Sequence, residues 1–266
     1  EYDGWWMTTR YKALLHYAAA NFVPPGSRIV TGIPLHIFGS QRAQHQISDV
    51  FRKALKAPAV TVLPQGFGAL CLAISTNSAL AQGRVALVDI GSRTTELICF
   101  SDGQYLNHES AGVVLGVGQV YTQVAQKLSS QHQRPIDAYE VDWALREDKP
   151  IKIKGGVVER QALEALVQHY VRPLATRLHN EMTRLWKEGA PGIDHLLYCG
   201  GGSALLASYL GHFRDDYTIL PESQFTNAAG YLEYIRLTST DQTRAQDQGA
   251  EDTPQGDASA QKASHA

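Results

Sequence analysis

Residues 85–100 hold two short apolar runs, Val85–Ile90 and Thr95–Phe100, on either side of Gly91-Ser92-Arg93-Thr94. Both are rich in aliphatic and β-branched residues, so each reads as a strand and the break as the turn between them. A third run, Tyr105–His108, follows Ser101-Asp102-Gly103-Gln104, a strong turn signal. The three are expected to form an antiparallel meander. Asp89 ends the first strand and Glu96 stands on the returning one, with hydroxyls at Thr94 and Thr95. A hairpin tip of this kind presents backbone amides to phosphate oxygens, and a carboxylate at the strand end can hold hydrated Mg²⁺ or orient water. A capped turn without a ligand fits the same residues.

On both sides of the meander, helix and strand signals alternate. Before it, the patterns predict a helix over 9–20, a strand over 28–32, a Ser40-capped helix to Lys56, a strand over 59–63 and a helix over 66–75. After it, they predict a helix over 118–128, then a polar, less regular stretch at 129–156 that reads as a small inserted subdomain. A long helix over 159–187 is expected to break or bend near Pro173, since proline cannot donate its amide. A buried strand over 195–199, the tight loop Gly200-Gly201-Gly202, a Ser-capped helix over 203–210, a strand over 217–220 and a helix over 226–237 complete the pattern. The alternation is α/β.

Beyond Leu237 no large apolar residue appears, and Gln, Asp, Ala, Ser, Thr and Gly dominate. Such a segment cannot offset its ordering entropy, so 238–266 is expected to be a disordered polar tail. Over all 266 residues, 24 basic and 26 acidic side chains leave a net charge of −2, with no excess of cations to drive bulk binding to nucleic acid or membrane. No apolar stretch approaches the roughly 20 residues that span a bilayer. Cys71, Cys99 and Cys199 sit in apolar strings without ligand spacing, which favours buried free thiols and a cytoplasmic setting. The chain opens on Glu1, and Trp5, Trp6, Tyr11 and Leu14 read like the interior of a domain, so a preceding segment is expected.

A second candidate element is Tyr198-Cys-Gly-Gly-Gly-Ser-Ala-Leu-Leu206. Strand, glycine run and helix start let a ligand approach the backbone, and the helix N-terminus favours anionic groups. The glycines could equally be a tight turn. Gly112–Gly118 is a weaker signal of the same type, for which a packing role is favoured. There is no GxxxxGK[ST], HExxH or GxSxG, and the histidines lack ligand spacing.

Three of these stretches stand in a familiar order. Val62-Leu-Pro-Gln-Gly-Phe-Gly-Ala-Leu70, Val88-Asp-Ile-Gly-Ser-Arg-Thr-Thr-Glu96 and Leu197-Tyr-Cys-Gly-Gly-Gly-Ser-Ala204 resemble the connect-1, phosphate-2 and adenosine motifs of the actin-like ATPase superfamily. Ile29-Val-Thr-Gly-Ile-Pro34 and Ala111-Gly-Val-Val-Leu-Gly-Val117 look most like plasmid-segregation proteins of the ParM/StbA type. The resemblance covers roughly residues 1–237.

It implies the actin-like, ribonuclease H-like ATPase fold, with domain I partial over 1–80 and domain II complete over 81–225, an insert at about 129–158 and a C-terminal helix at 226–237. It further implies that Gln65 positions the water attacking the γ-phosphate and that Asp89 assists through Mg²⁺ and water. Gly91, Ser92, Thr94 and Thr95 would line the phosphates of ATP, Glu96 would be the second acid of the hairpin, and Gly200, Gly201 and Gly202 would pass beneath the adenosine. A Gln65 amide that merely caps its own helix is the alternative. The family uses ATP to assemble filaments and contacts DNA through an adaptor protein rather than directly. Two departures stand out. Ser92-Arg93 follow Gly91 where the family has a further glycine, which costs on the order of 1 kcal/mol if either must take a positive φ. The family's first phosphate loop, an Asp-x-Gly hairpin, is absent, so these residues alone are expected to bind ATP poorly and turn it over slowly. A non-polymerising kinase or phosphatase of the superfamily, and a scaffold that has lost turnover, are the rival readings.

Overall fold

The computed structural model describes residues 4–251. Its smaller part comprises α1 (Thr9–Asn21), β1 (Ile29–Ile33), α2 (Leu35–Phe38), α3 (Gln41–Leu55), β2 (Val60–Pro64) and α4 (Phe67–Thr76). β1 and β2 run parallel, with Ile29 opposite Val60 and Ile33 opposite Pro64. The Ser40 hydroxyl caps α3 by accepting from the amide of Ala43. Ala43, Ile47, Phe51 and Leu55 recur every four residues, which places them on one face. That face packs on Trp6, Leu15 and Ile33.

The larger part is built on a six-stranded sheet. It contains β3 (Arg84–Ile90), β4 (Thr95–Ser101), β5 (Gln104–Tyr105), β6 (Ala111–Val113), α5 (Gly118–His132), α6 (Ala138–Arg146), β7 (Ile151–Ile153), β8 (Gly156–Val158), α7 (Arg160–Trp186), β9 (His195–Cys199), α8 (Ser203–Leu210), β10 (Tyr217–Ile219) and α9 (Thr226–Glu251). The strand order is β10-β9-β3-β4-β5, with β6 also on β4; β7 and β8 form a separate hairpin. β3 and β4 are antiparallel, and β9 joins β3 in parallel.

Alternation along the central strands decides which side chain meets which layer. Ala86, Val88, Ile90, Leu97 and Cys99 face the core shared with α5, α7 and α8. Val85, Leu87, Ile98 and Phe100 face Ala69, Leu70 and Ala73 of α4. By the same period Asp89 and Glu96, directly opposite each other across the hairpin, point to the α4 side. Thr95 points the other way.

Several expectations change. α7 is one uninterrupted helix through Pro173. Burial of Val171, Leu174, Ala175 and Leu178 around that position outweighs a proline cost of about 3 kcal/mol. The stretch after α5 is regular rather than loose: α6 packs on α5 and α7, and β7 pairs with β8. The third run of the meander is only two residues of strand, followed by a single 3₁₀ turn at Asn107–Glu109. α9 continues to Glu251, past Leu237, where the apolar residues end. The rest of the tail expected over 238–266, from residue 252 on, lies outside the described residues.

Candidate functional site

A cleft of about 510 Å³ opens where the C-terminal ends of β1 and β3, the hairpin tip, the glycine bend after β9 and the start of α9 meet. Gln65, Asp89 and Glu96 line it, with Gly91, Ser92 and Thr94 from the tip and Gly200 and Gly201 from the bend. Residues from 65 to 201 in the chain thus share one crevice.

Asp89 is 8% exposed, and its Oδ2 accepts from Asn227 Nδ2 at 2.6 Å. Burial pushes its carboxyl above the usual range, against donation by Asn227 and by the Cys199 thiol. Glu96 is buried more deeply, at 1%. Its Oε2 accepts from the amide of Leu35 at 3.1 Å, linking the hairpin to the first turn of α2, while Oε1 has no partner. Burial carries Glu96 up to about 7; the Leu35 amide opposes the rise, and the neighbouring Asp89 adds to it. Two adjacent carboxylates biased toward their neutral forms face a polar crevice, an arrangement that suits proton holding or a cation.

The tip is held from behind. Gly91 donates to Thr94 O at 2.9 Å, Val117 donates to Gly91 O at 3.1 Å, and Gly118 donates to Ser92 O at 2.7 Å. A Cβ on Gly116 would stand 2.5 Å from the Ser92 oxygen and the Arg93 amide nitrogen, so the glycines of 116–118 are the bed on which the tip lies. Neither Ser92 nor Arg93 takes a positive φ, so their presence costs no left-handed strain. In the bend, Gly200 sits at φ +86°, where a side chain would also meet Asp89 Oδ1 at 2.5 Å.

Residues 87–212 match the family model of the archaeal actin homologue MreB-like C-terminal region. Among solved structures, the chain is similar to a pCBH ParM non-polymerisable quadruple mutant (22% identity, 86% of this chain and 76% of that one, TM-score 0.72). A 15-stranded ParM filament from Clostridium botulinum aligns at 21% identity over 86% and 74% of the two chains, TM-score 0.70. An archaeal actin homolog in complex with ADP aligns at 20% over 87% and 79%, TM-score 0.70. The chain has the fold of these actin-like proteins. No curated protein matches its sequence at the same stringency.

Within this actin-like fold two of the expected phosphate and adenosine residues stand outside the cleft. Thr95 is fully buried on the opposite face of β4, where its hydroxyl donates to Leu115 O at 2.6 Å. Strand alternation separates it from Thr94, which lines the crevice. Gly202 is turned into the core against Ile90 and Val117, and its amide donates to Ile90 O at 2.8 Å. Ser203 does not cap α8; the cap is Gly202, and the Ser203 hydroxyl is buried without a partner. Gln65 does not cap α4 either, since the N-cap is Gly66. The residue that serves that end is Asn227, whose Oδ1 accepts from the amides of Gly66 at 2.9 Å and Ala69 at 3.3 Å.

Asn227 and Tyr231 escaped the sequence reading. Tyr231 lines the cleft beside Gly32, and its hydroxyl is buried without a partner. Both stand in the apolar opening of a helix, where only the pairing of Gly230 with Gly68 in space reveals how closely α9 approaches the site.

Proposed function

We propose that this chain binds ATP with Mg²⁺ in the cleft, hydrolyses it, and assembles nucleotide-dependent filaments that serve plasmid DNA segregation in the cytoplasm. Contact with DNA would run through a DNA-bound adaptor protein. One observation carries the nucleotide reading: the Asp89 hairpin and the Gly200-Gly201 bend, far apart in sequence, face a single crevice with room for a nucleotide. The similar structures support it by what they are, a ParM filament, an ADP complex, and an MreB of Spiroplasma citri bound to AMPPNP.

In this reading Gly91, whose own N–H and C=O are bonded to Thr94 and Val117, lines the phosphates by leaving them room, the hydroxyls of Ser92 and Thr94 contact phosphate oxygens, and Gly200 and Gly201 pass beneath the adenosine. Gln65, on the turn into α4, orients the attacking water. The donor set fits Mg²⁺ of the kind held mainly by phosphates and water. Asp89 borders the crevice and Glu96 Oε1 is an unpaired buried acceptor, while no group of three His, Cys, Asp or Glu able to hold a metal occurs among the described residues. Mg²⁺ would be held at Asp89 and would supply charge neutralisation at the phosphates. Thr95 and Gly202 act as scaffold. Residues 1–80 are then part of the first actin-like domain, and 81–225 form the second, with the insert at about 129–158. Among the described residues no helix is long and apolar enough to cross a membrane.

The test is titration of the protein with ATP·Mg²⁺, followed by sedimentation. Gly201 has open space about it, with Gln224 Cγ the nearest atom at 3.8 Å, so Gly201→Arg fills the cleft without disturbing the core. Binding should be lost in Gly201→Arg and in Asp89→Asn, and the wild type should pellet with ATP but not without. Undiminished binding in both variants refutes the cleft, and a strictly monomeric ATP complex refutes the filament.

A further inference from the structure

Asn227 makes contacts that neither the hairpin nor the glycine bend explains. Its Oδ1 accepts from two amides in the first turn of α4, and its Nδ2 donates to Asp89 Oδ2. Since both α4 partners are N–H donors, the oxygen must face them and the nitrogen must face the carboxylate, which fixes the amide orientation. One side chain therefore spans sequence separations of 138 and 161 residues and ties together the end of β3, the start of α4 and α9. Its own position is rigid. Thr226, beside it, is 1% exposed and donates to Ser223 O at 3.0 Å, and three residues on, Gly230 lies against Gly68. Gln65 immediately precedes the capped Gly66, and its amide donates to Ile33 O at 2.8 Å.

We infer that Asn227 is a positioning residue that sets Asp89 and the turn carrying Gln65 in common register, so that the two groups assigned to water and Mg²⁺ move as one unit. The inference rests on the nucleotide reading above for its consequence, and on the hydrogen bonds alone for its geometry. Asn227 borders the cleft, but its amide oxygen and nitrogen are already committed to Gly66, Ala69 and Asp89 rather than offered to a ligand. Its loss should therefore act on hydrolysis and leave binding largely intact.

Two variants separate the two ends. Asn227→Asp retains oxygen acceptors for Gly66 and Ala69 but has no N–H for Asp89; Asn227→Ala removes both. Both variants should lower the turnover rate by roughly 10- to 100-fold, the usual range for groups that orient a site from behind, while the ATP dissociation constant changes by less than about threefold. Amide hydrogen exchange without nucleotide gives an independent readout. In Asn227→Ala, exchange should quicken at Gly66 and Ala69 and also at Gly200 and Gly202, beside Asp89. In Asn227→Asp, Gly66 and Ala69 should stay protected. Exchange changes confined to Gly66 and Ala69, or turnover unaltered in Asn227→Asp, overturn the inference and leave Asn227 a helix cap. Failure of the wild type to bind ATP would refute the proposed function instead, and the exchange pattern would still decide whether Asn227 couples the two ends.

Discussion

Replacing Gly230 by alanine sets two physical effects against each other with opposite signs. Gly230 lies inside α9, where alanine is favoured over glycine by up to about 1 kcal/mol through helix propensity. A Cβ there, however, would stand 2.9 Å from Gly68 Cα and closer still to the Gly68 carbonyl. The obstacle is backbone in the first turn of α4, not the end of a flexible side chain, so the methyl can be accommodated only by parting the two helices. Overpacking typically costs about 1–3 kcal/mol, and an immovable neighbour puts this case at the upper end. The net expectation is a loss of about 2 kcal/mol. With a urea dependence of about 2–3 kcal/mol per molar for a protein of this size, the unfolding midpoint should fall by roughly 0.7–1 M. Urea unfolding followed by far-ultraviolet dichroism and by tryptophan fluorescence measures this, coincidence of the two probes establishing a single transition. Gly201→Ala is the control: with only Gln224 Cγ at 3.8 Å it should stay within about 0.2 M of wild type. A midpoint for Gly230→Ala that is unchanged or raised would mean that propensity governs and that the α4–α9 approach is not tight.

The remaining expectations concern buried polar groups and thiols of the core. Thr95→Val strips Leu115 O of its 2.6 Å donor inside the core, so stability should drop by about 1–3 kcal/mol in urea while ATP affinity is retained; a selective loss of ATP binding would return Thr95 to the phosphates. Glu96, at about 7 when folded against an ordinary 4.5, binds its proton more tightly in the folded state. Its contribution is therefore fully favourable below pH 4.5 and is lost as pH rises through 7, a change of about 3 kcal/mol at most. Glu96→Gln should flatten that window, and parallel urea midpoints for the two proteins between pH 4 and pH 8 would refute the assignment. Burial pushes Cys71 and Cys99 up to about 11 and Cys199 well above its ordinary value, so all three thiols should resist alkylation at pH 8 until the protein is unfolded. Rapid labelling of any of them under native conditions would contradict the packing.

The order of strands and helices, the hairpin at 85–101 and the glycine bend were legible in the sequence because each is written in local periodicity and turn chemistry. Seven-residue β3 and β4, α3 with its Ser40 cap, and the strand-glycine-helix unit at 195–210 all follow from residues close together in the chain. Packing outvoted local pattern at Pro173, where α7 does not break, and in the orderly helix and hairpin of the insert.

Within the site, residue type and order marked Asp89, Glu96, Thr94 and the first two bend glycines as candidates before any fold was known. Which of the marked residues share a cavity was a different matter. The pleat sent Thr95 and Thr94 in different directions, and the bend turned Gly202 inward after Gly201 had faced out. Asn227, Tyr231 and the Gly68–Gly230 crossing carry no local signature, since an Asn or a Gly at a helix start has many ordinary uses. Their roles exist only once α9 has folded back on α4, because a hydrogen bond or a van der Waals contact depends on separation in space and is indifferent to separation along the chain.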